Sequence, residues 1–301
     1  MASVQLDTQH EDMIHDSQFD YYGKRLATAS SDRTVRVFEV SAGGQAAPAA
    51  LATLSGHEGP VWQVSWAHPK FGTLLASCSY DRKVIIWKEE GGQWRQLYQH
   101  AEHRSSVNSV SWCPHEHGLR LACCSSDGTV SILTHKPDDS WEPVKFTANQ
   151  IAVNAVAWAP ARGAAADAAG LKPAQLVTAG CDNTVKLWQL ADGAAPRELS
   201  KLEGHTDWVR DVAWAPDMGT PSSTIASCSQ DGKVIVWTSD GGGAWEPQSI
   251  DLGNPVWRVS WSLTGSILAV SCGDNTVSLW TEGADGQYVR TSSVSEAGVV
   301  A

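Results

Sequence analysis

Three features of the sequence predict an all-β fold, a β-propeller of six blades. One segment recurs six times, its spacing suits four short strands, and the tryptophans keep step with it. The copies are LATASSDRTVRVF (26–38), LASCSYDRKVIIW (75–87), LACCSSDGTVSIL (121–133), LVTAGCDNTVKLW (176–188), IASCSQDGKVIVW (225–237) and LAVSCGDNTVSLW (268–280). Each holds one aspartate at a fixed place: Asp32, Asp81, Asp127, Asp182, Asp231 and Asp274. Six residues later a large apolar residue closes the unit: Phe38, Trp87, Leu133, Trp188, Trp237 and Trp280. Successive aspartates lie 49, 46, 55, 49 and 43 residues apart, the length of a propeller blade.

Each copy reads as a β-hairpin. An apolar run meets a polar tight turn (Asp-Gly, Asp-Asn or Asp-Arg), then an alternating run such as TVKLW. Upstream lies an inner strand ending in an aromatic: Phe19, Trp66, Trp112, Trp158, Trp214 or Trp261. Downstream come weaker outer strands around Trp94, Trp141, Trp245 and Tyr288. With Trp62, Trp208 and Trp257 placed at inner-strand starts, all 15 tryptophans take up a phase of the repeat and are expected to pack blade on blade. The whole chain, 1–301, is one propeller with blades at approximately 11–56, 57–102, 103–148, 149–204, 205–252 and 253–296. The Ala-rich stretches Ser41–Ala50 and Ala161–Ala174 lack periodicity and read as solvated loops.

Composition narrows the function. A hydrophobic share of 42% supports a core, and no run of 18 apolar residues offers a membrane helix. The net charge of -11 argues against nucleic acid, whose phosphates require clustered Lys and Arg. The acidic opening MASVQLDTQHEDM has no apolar region of the kind a secretory signal carries. Seven scattered cysteines without a C-x-x-C pair read as buried small hydrophobes in a reducing compartment.

Several residues imitate chemistry. Most units carry Ser or Thr four residues before the aspartate (Thr28, Ser77, Thr178, Ser227), and some a preceding histidine (His57, His205, His103). Ser, His and Asp suggest a hydrolase, yet the set recurs around the chain, Cys123 and Val270 replace the hydroxyl in two units, and no G-x-S-x-G elbow exists. A structural relay running from aspartate to histidine to hydroxyl to the closing tryptophan is the expected role. His10 and His15 have the wrong spacing for a zinc helix, and His100–His103 and His115–His117 read as loop residues without a Cys or carboxylate set, so no metal and no cofactor are expected. The glycines at 241–243 lack the lysine of a phosphate loop.

Counting strands exposes a gap. Ser3–His10 looks like the outer strand that precedes each later unit, while Tyr288–Ser295 already completes the sixth blade. The segment 1–10 is therefore an orphan outer strand. Either the ring closes with six blades, or it stays open with a seventh position filled by strands from another chain.

The stretch HEDMIHDSQFDYYGKRLATASSDRTVRVFEV (10–40) resembles the small WD-repeat subunits of the COPII outer vesicle coat, which also serve in the Y-shaped scaffold of the nuclear pore. So do GHEGPVWQVSWAHPKFGTLLASCSYDRKVIIWKEE (56–90), GHTDWVRDVAWAP (204–216) and PVWRVSWSLTGSILAVSCGDNTVSLWTE (255–282). The resemblance implies an open six-bladed WD-repeat propeller that accepts a blade in trans and has no enzymatic activity. The implied partners are the solenoid outer-coat protein of COPII, a solenoid nucleoporin, and a nutrient-signalling complex at the vacuole or lysosome. The implied location is the cytoplasmic face of the ER, its vesicles and the nuclear pore, with membranes reached through partners. Gap flanks are then expected at Val4 and Leu6 on the orphan strand, Ile14, Val35 and Val37 on the first blade, and Trp257, Val277 and Leu279 on the last. The rival class, a ubiquitin-ligase substrate receptor, often carries Trp-Asp-x-Arg at the unit's end. Here the closing residues are followed by Glu39, Lys88, Thr134, Gln189, Thr238 and Thr281.

Overall fold

The computed structural model describes residues 6–41, 50–161, 173–190, 195–217, 219–220, 222–241, 243–295 and the backbone of 298–300. Among them lie 25 strands, two single-turn 3-10 helices and no α-helix. Each repeat folds into an antiparallel meander, its strands hydrogen-bonded in chain order. Blade 1 holds β1 (Ile14–Phe19), β2 (Arg25–Ser30), β3 (Thr34–Glu39) and β4 (Ala52–Ser55). Blade 2 holds β5 (Val61–Trp66), β6 (Leu74–Ser79), β7 (Val84–Glu90) and β8 (Gln93–His100). Blade 3 holds β9 (Val107–Trp112), β10 (Arg120–Ser125), β11 (Thr129–His135) and β12 (Trp141–Thr147).

Blade 4 holds β13 (Val153–Trp158), β14 (Gln175–Gly180), β15 (Thr184–Gln189) and β16 (Arg197–Glu203). Blade 5 holds β17 (Val209–Trp214), β18 (Ser223–Ser229), β19 (Lys233–Ser239) and β20 (Glu246–Asp251). Blade 6 holds β21 (Val256–Trp261), β22 (Ile267–Cys272), β23 (Val277–Glu282) and β24 (Tyr288–Ser295), and it gains a fifth strand, β25 (Gly298–Val300), paired to β24. That strand lies beyond the expected end of the blade at 296. Two compact units divide the chain, residues 2–147 with blades 1–3 and residues 148–301 with blades 4–6.

The hairpin turns follow from their residues. The residue after the aspartate is left-handed in all six repeats: Arg33, Arg82, Gly128, Asn183, Gly232 and Asn275. Gly and Asn tolerate this conformation at little cost, and it matches the twist of the flanking strands.

Strand alternation then gives every blade two apolar faces. In the first unit, Leu75, Ile85 and Trp87 of blade 2 cluster with Ala27, Ala29, Val35, Val37 and Leu54 of blade 1. Their neighbours in sequence, Ala76, Cys78, Val84 and Ile86, cluster with Val107, Val110, Leu121, Cys123 and Leu133 of blade 3. The second unit repeats the scheme: Ile225, Ile235 and Trp237 of blade 5 face blade 4, and Ala226, Cys228, Val234 and Val236 face blade 6. Polar side chains stitch the same contacts. Asp16 accepts the Val64 amide at 3.0 Å, Gln63 the Val110 amide at 2.8 Å, and Asp211 the Val259 amide at 3.1 Å. The indole N–H groups of Trp66, Trp112 and Trp261 donate to carbonyls of the preceding blade (Gln18, Ser65 and Ala213).

Some expectations need adjustment, and others fall outside the described residues. Residues 6–10 form no strand, and the rest of the orphan segment, Val4 included, lies outside the described residues. Trp208 does not share the phase of Trp62 and Trp257: it precedes Val209 as Pro60 precedes Val61, and is 46% exposed. Its ring stacks on the Arg210 guanidinium at 5.2 Å instead of packing between blades. The Ala-rich segments fall largely outside the described residues. All seven cysteines are free thiols and six are buried, Cys181 being partly exposed.

The glycine before the relay histidines of blades 2 and 5 tests this packing. A β-carbon on Gly56 would stand 2.9 Å from the Trp87 ring and 3.3 Å from Ile85, both fixed in the core. Gly56→Ala is expected to lower stability by about 1–3 kcal/mol through overpacking, read as a fall in the urea midpoint at constant m.

Candidate functional site

The recurring Ser/Thr, His and Asp residues meet as relays. In blade 5 the Trp237 indole N–H donates to Ser227 Oγ at 2.9 Å, Ser227 lies 2.8 Å from His205 Nε2, and His205 Nδ1 lies 3.0 Å from Asp231 Oδ2. Blade 2 repeats the chain: Trp87 to Ser77 at 2.9 Å, Ser77 to His57 at 2.8 Å, His57 to Asp81 at 2.9 Å. An indole can only donate and a carboxylate can only accept, so with a neutral imidazole the direction of every bond is fixed. The imidazole carries its proton on Nδ1, and the hydroxyl donates to Nε2.

This connectivity is that of a hydrolase triad, but Ser77 and Ser227 are completely buried and each hydroxyl already accepts an indole N–H. No substrate carbonyl can reach them. The relay instead pins the turn: Asp231 also accepts the amides of Thr206 and Lys233, and Asp81 those of Glu58 and Lys83.

The other blades vary the theme. In blade 1 the histidine is His10, 2.7 Å from Asp32 and 2.8 Å from Thr28. This relay role was not among the expectations; its signal is the four-residue spacing to Ile14, shared by His57 and Val61. In blade 4, Trp188 donates to Thr178 at 2.9 Å, Asn149 takes the histidine position, and Asp182 pairs with Lys186 at 3.1 Å. In blade 6, Leu252 and Val270 leave no relay; Trp280 donates to Ser278 at 2.8 Å, and Asp274 caps only Thr276. Blade 3 has Cys123 for the hydroxyl and Leu133 for the tryptophan, with His103 Nε2 3.5 Å from Sγ and Nδ1 3.3 Å from Asp127. His100, expected in a loop without a cysteine, ends β8, and the fold brings it beside His103 and Cys123.

Burial sets the charges. It pushes the His205 imidazole below its ordinary range against the pull of Asp231, and takes His103 down to about 4. Burial by itself would raise the Asp231 carboxyl; the Thr206 amide, His205 and the Lys233 amide outweigh it and hold the group low.

The second feature is a pair of blade faces exposed at positions that other blades bury. Val61, Val107, Val209 and Val256 begin the inner strands of blades 2, 3, 5 and 6; each is fully buried against the blade before it. Their counterpart in blade 1, Ile14, is 45% exposed, and Phe19, counterpart of Trp66, is exposed as well. Part of this face is held by residues 6–10: His10 lies on Thr28, and the Thr8 carbonyl accepts from Arg36 at 3.0 Å. Leu6, in that segment, is partly exposed.

Blade 6 has the complementary condition. Val84 and Val234, which face the following blade, are fully buried, whereas their counterpart Val277 is 39% exposed. Ile267 is exposed and Leu279 partly so. Trp257 stacks on Arg210 of blade 5 at 5.0 Å and is otherwise half exposed. Its counterpart Trp62 is less exposed and donates to Ser106 of blade 3 at 2.9 Å.

Val35 and Val37 do not belong to this set. Both are fully buried and cluster with blade 2. Their place in the alternation is that of Val84 and Ile86, which face the following blade, so on blade 1 they point inward.

Six meanders of this kind, each pinned at an Asp turn, define a WD-repeat β-propeller. The family model described as "WD domain, G-beta repeat" matches residues 3–39, 49–88, 94–132, 142–189, 196–238 and 247–281. The chain is 57% identical to the protein named "Protein SEC13 homolog" of Dictyostelium discoideum over 302 aligned positions, covering 98% of this chain and 99% of that one. It is 59% identical to "Protein transport protein SEC13 homolog A" of Arabidopsis thaliana, with the same coverage. Against "Protein transport protein sec13" of Schizosaccharomyces pombe the identity is 60%, over 92% of this chain and 95% of that one. The chain belongs to the SEC13 family.

Ser227→Ala leaves the Trp237 N–H and His205 Nε2 without partners. It is expected to cost about 1–3 kcal/mol in urea unfolding, and Thr178→Ala is expected to lower stability in the same direction. The buried His205 also links stability to pH. Its folded pKa is depressed, so the unfolded chain takes up a proton that the native state refuses; stability is full above the ordinary histidine value and falls as pH drops through it. The urea midpoint should therefore fall between about pH 7.5 and about pH 5.5, a window set by the unperturbed imidazole, and fall less in His205→Gln. The low aspartates Asp81 and Asp231 lose their contribution only below the ordinary carboxylate range.

Proposed function

We propose that this protein is a non-enzymatic scaffold of the COPII outer coat in ER-to-Golgi transport, and that it accepts a blade from a helical-solenoid partner. The observation that carries the reading is the exposure of Ile14 and Val277 at repeat positions that other blades bury completely. On blade 1 an incoming sheet would cover Ile14 and Phe19; on blade 6 it would cover Val277, Leu279 and Ile267. Trp257 stands beside it at the inner strand. Val4 and Leu6 would meet its edge.

Strand complementation of this type replaces a whole blade contact, so the interface should exceed roughly 2,000 Å² and be obligate. The relatives named for protein transport support the assignment. The absence of a membrane-length apolar helix among the described residues is compatible with recruitment by partners. The same faces would serve a solenoid nucleoporin in the outer ring of the nuclear pore, and a solenoid subunit of a nutrient-signalling complex.

The test is a pull-down from cytosol with mass spectrometry, using wild type and the double variant Ile14→Asp/Val277→Asp. Burial of each apolar side chain is worth about 1.5–3 kcal/mol, so recovery of a solenoid coat protein should fall at least about tenfold while the melting temperature holds. Val35→Ala, inside the blade 1–blade 2 core, should do the reverse: lower the melting temperature and leave recovery from folded protein intact. Equal recovery by wild type and the double variant, or capture of ligase subunits alone, would overturn the reading.

A further inference from the structure

Blade 3 departs from the repeat at three places, and the departures converge. The hydroxyl that the closing tryptophan holds in blades 2, 4 and 5 is replaced by the thiol of Cys123. The closing tryptophan itself is Leu133. Three residues before the relay histidine, where the chain elsewhere places core leucines (Leu54 and Leu202), stands His100. Leu54 and Leu202 share their clusters with Trp87 and Trp237. The smaller Leu133 thus leaves room for an imidazole where another repeat has an indole.

Donor atoms of His100, His103 and Cys123 all lie within 4.8 Å of one another, and all three residues are buried. As an apolar core the arrangement makes no sense. His100 is 1% exposed, and neither of its ring nitrogens has a hydrogen-bond partner. Ser131, paired directly across the ladder from Cys123 and therefore on the same face, has a completely buried hydroxyl without a partner. Native proteins rarely leave buried polar atoms unmatched, and a cluster of them points to a group that is not protein.

We propose that His100, His103 and Cys123 form a buried three-coordinate site for a copper(I) ion. A trigonal ion with bonds of about 2.0 Å to nitrogen and about 2.3 Å to sulfur needs donors about 3.5–3.7 Å apart. His103 Nε2 and Cys123 Sγ already stand at 3.5 Å, and His100 closes the triangle by a side-chain rotation. Soft thiolate with imidazole selects copper(I). Charge favours the same ion: one thiolate, two neutral imidazoles and a monovalent cation sum to zero, as a site without water requires, whereas zinc would leave a net charge and seek a fourth ligand. Asp127 supplies the outer shell, taking the Nδ1 proton of His103 at 3.3 Å and so freeing Nε2 for the ion. In the metal-free chain the Cys123 thiol donates to the Ser131 carbonyl at 3.6 Å. On loading, the Cys123 S–H bond breaks, its proton leaves to solvent, and the sulfur lone pair forms the S–Cu bond. No electron is transferred.

The test uses the full-length reduced chain under anaerobic conditions, titrated with copper(I) against a chromophoric copper(I) chelator. One equivalent should be held, and affinity should fall at least tenfold in His100→Leu, which restores the residue of blades 1 and 4, and in Cys123→Ser. X-ray absorption at the copper edge of the wild-type protein should show one sulfur and two imidazole nitrogens, a readout that does not depend on the variants folding. Equal copper affinity in wild type and His100→Leu, an all-sulfur shell drawn from the other cysteines, or zinc displacing copper(I) from the site would overturn the proposal.

Discussion

Burial of one sheet face against the next is the constraint on which the rest of this structure depends. A four-stranded meander with alternating small and branched apolar residues has two hydrophobic faces and cannot stand in water alone. Ala76 and Ile86 require blade 3 as surely as Leu75 and Ile85 require blade 1. The register bonds from Asp16, Gln63 and Asp211 to the next blade's amides hold the faces in step. They contribute alignment more than energy, since a net hydrogen bond is worth about 1 kcal/mol against the larger gain from burying each apolar side chain.

Much of this was legible because propeller chemistry is local. The aspartate, the left-handed residue after it and the alternating run lie within a dozen residues, so six hairpins and their approximate boundaries can be read directly. The relay was legible in blades 2 and 5 because His57 and His205 each follow a glycine and stand four residues before the valine that opens the inner strand. His10 was not read as a relay member because Gln9 stands where glycine precedes His57 and His205. Parity was the harder matter. Val35 and Val37 occupy the first blade, but strand alternation turns them toward blade 2, and only counting from the aspartate against a buried repeat shows which side is which. Trp208 was misplaced by a slip of two residues, which the register of β17 corrects.

What could not be read is whatever strand pairing assembles. His100, His103 and Cys123 are spread over 24 positions and belong to the end of one blade, a connection and the middle of the next. No spacing rule joins them, and the thiol reads as a small hydrophobe until β10 sets it beside the two rings. Exposure has the same character: Val277 and Val234 sit at the same place in the repeat, and Val234 is buried by the sheet that follows it in its own unit whereas Val277 is exposed.

The terminal blades answer their one-sided burial in opposite ways, and the difference follows from where the relay points. Hydroxyl positions face the preceding blade, as Ser77 and Leu75 do together. In blade 1 that side is the exposed one, and there the relay is kept, with His10 of the segment 6–10 laid on Thr28 and Asp32. Polar groups cost least where water or a polar cover is close. In blade 6 the same side is the contact with blade 5, and the relay is gone: Leu252 and Val270 join Cys228, Val234 and Val236 in an apolar cluster. A buried polar network exchanged for well-packed hydrophobes is often neutral or stabilising. The blade whose outer face lacks a neighbour in its own unit thereby strengthens the single face that has one.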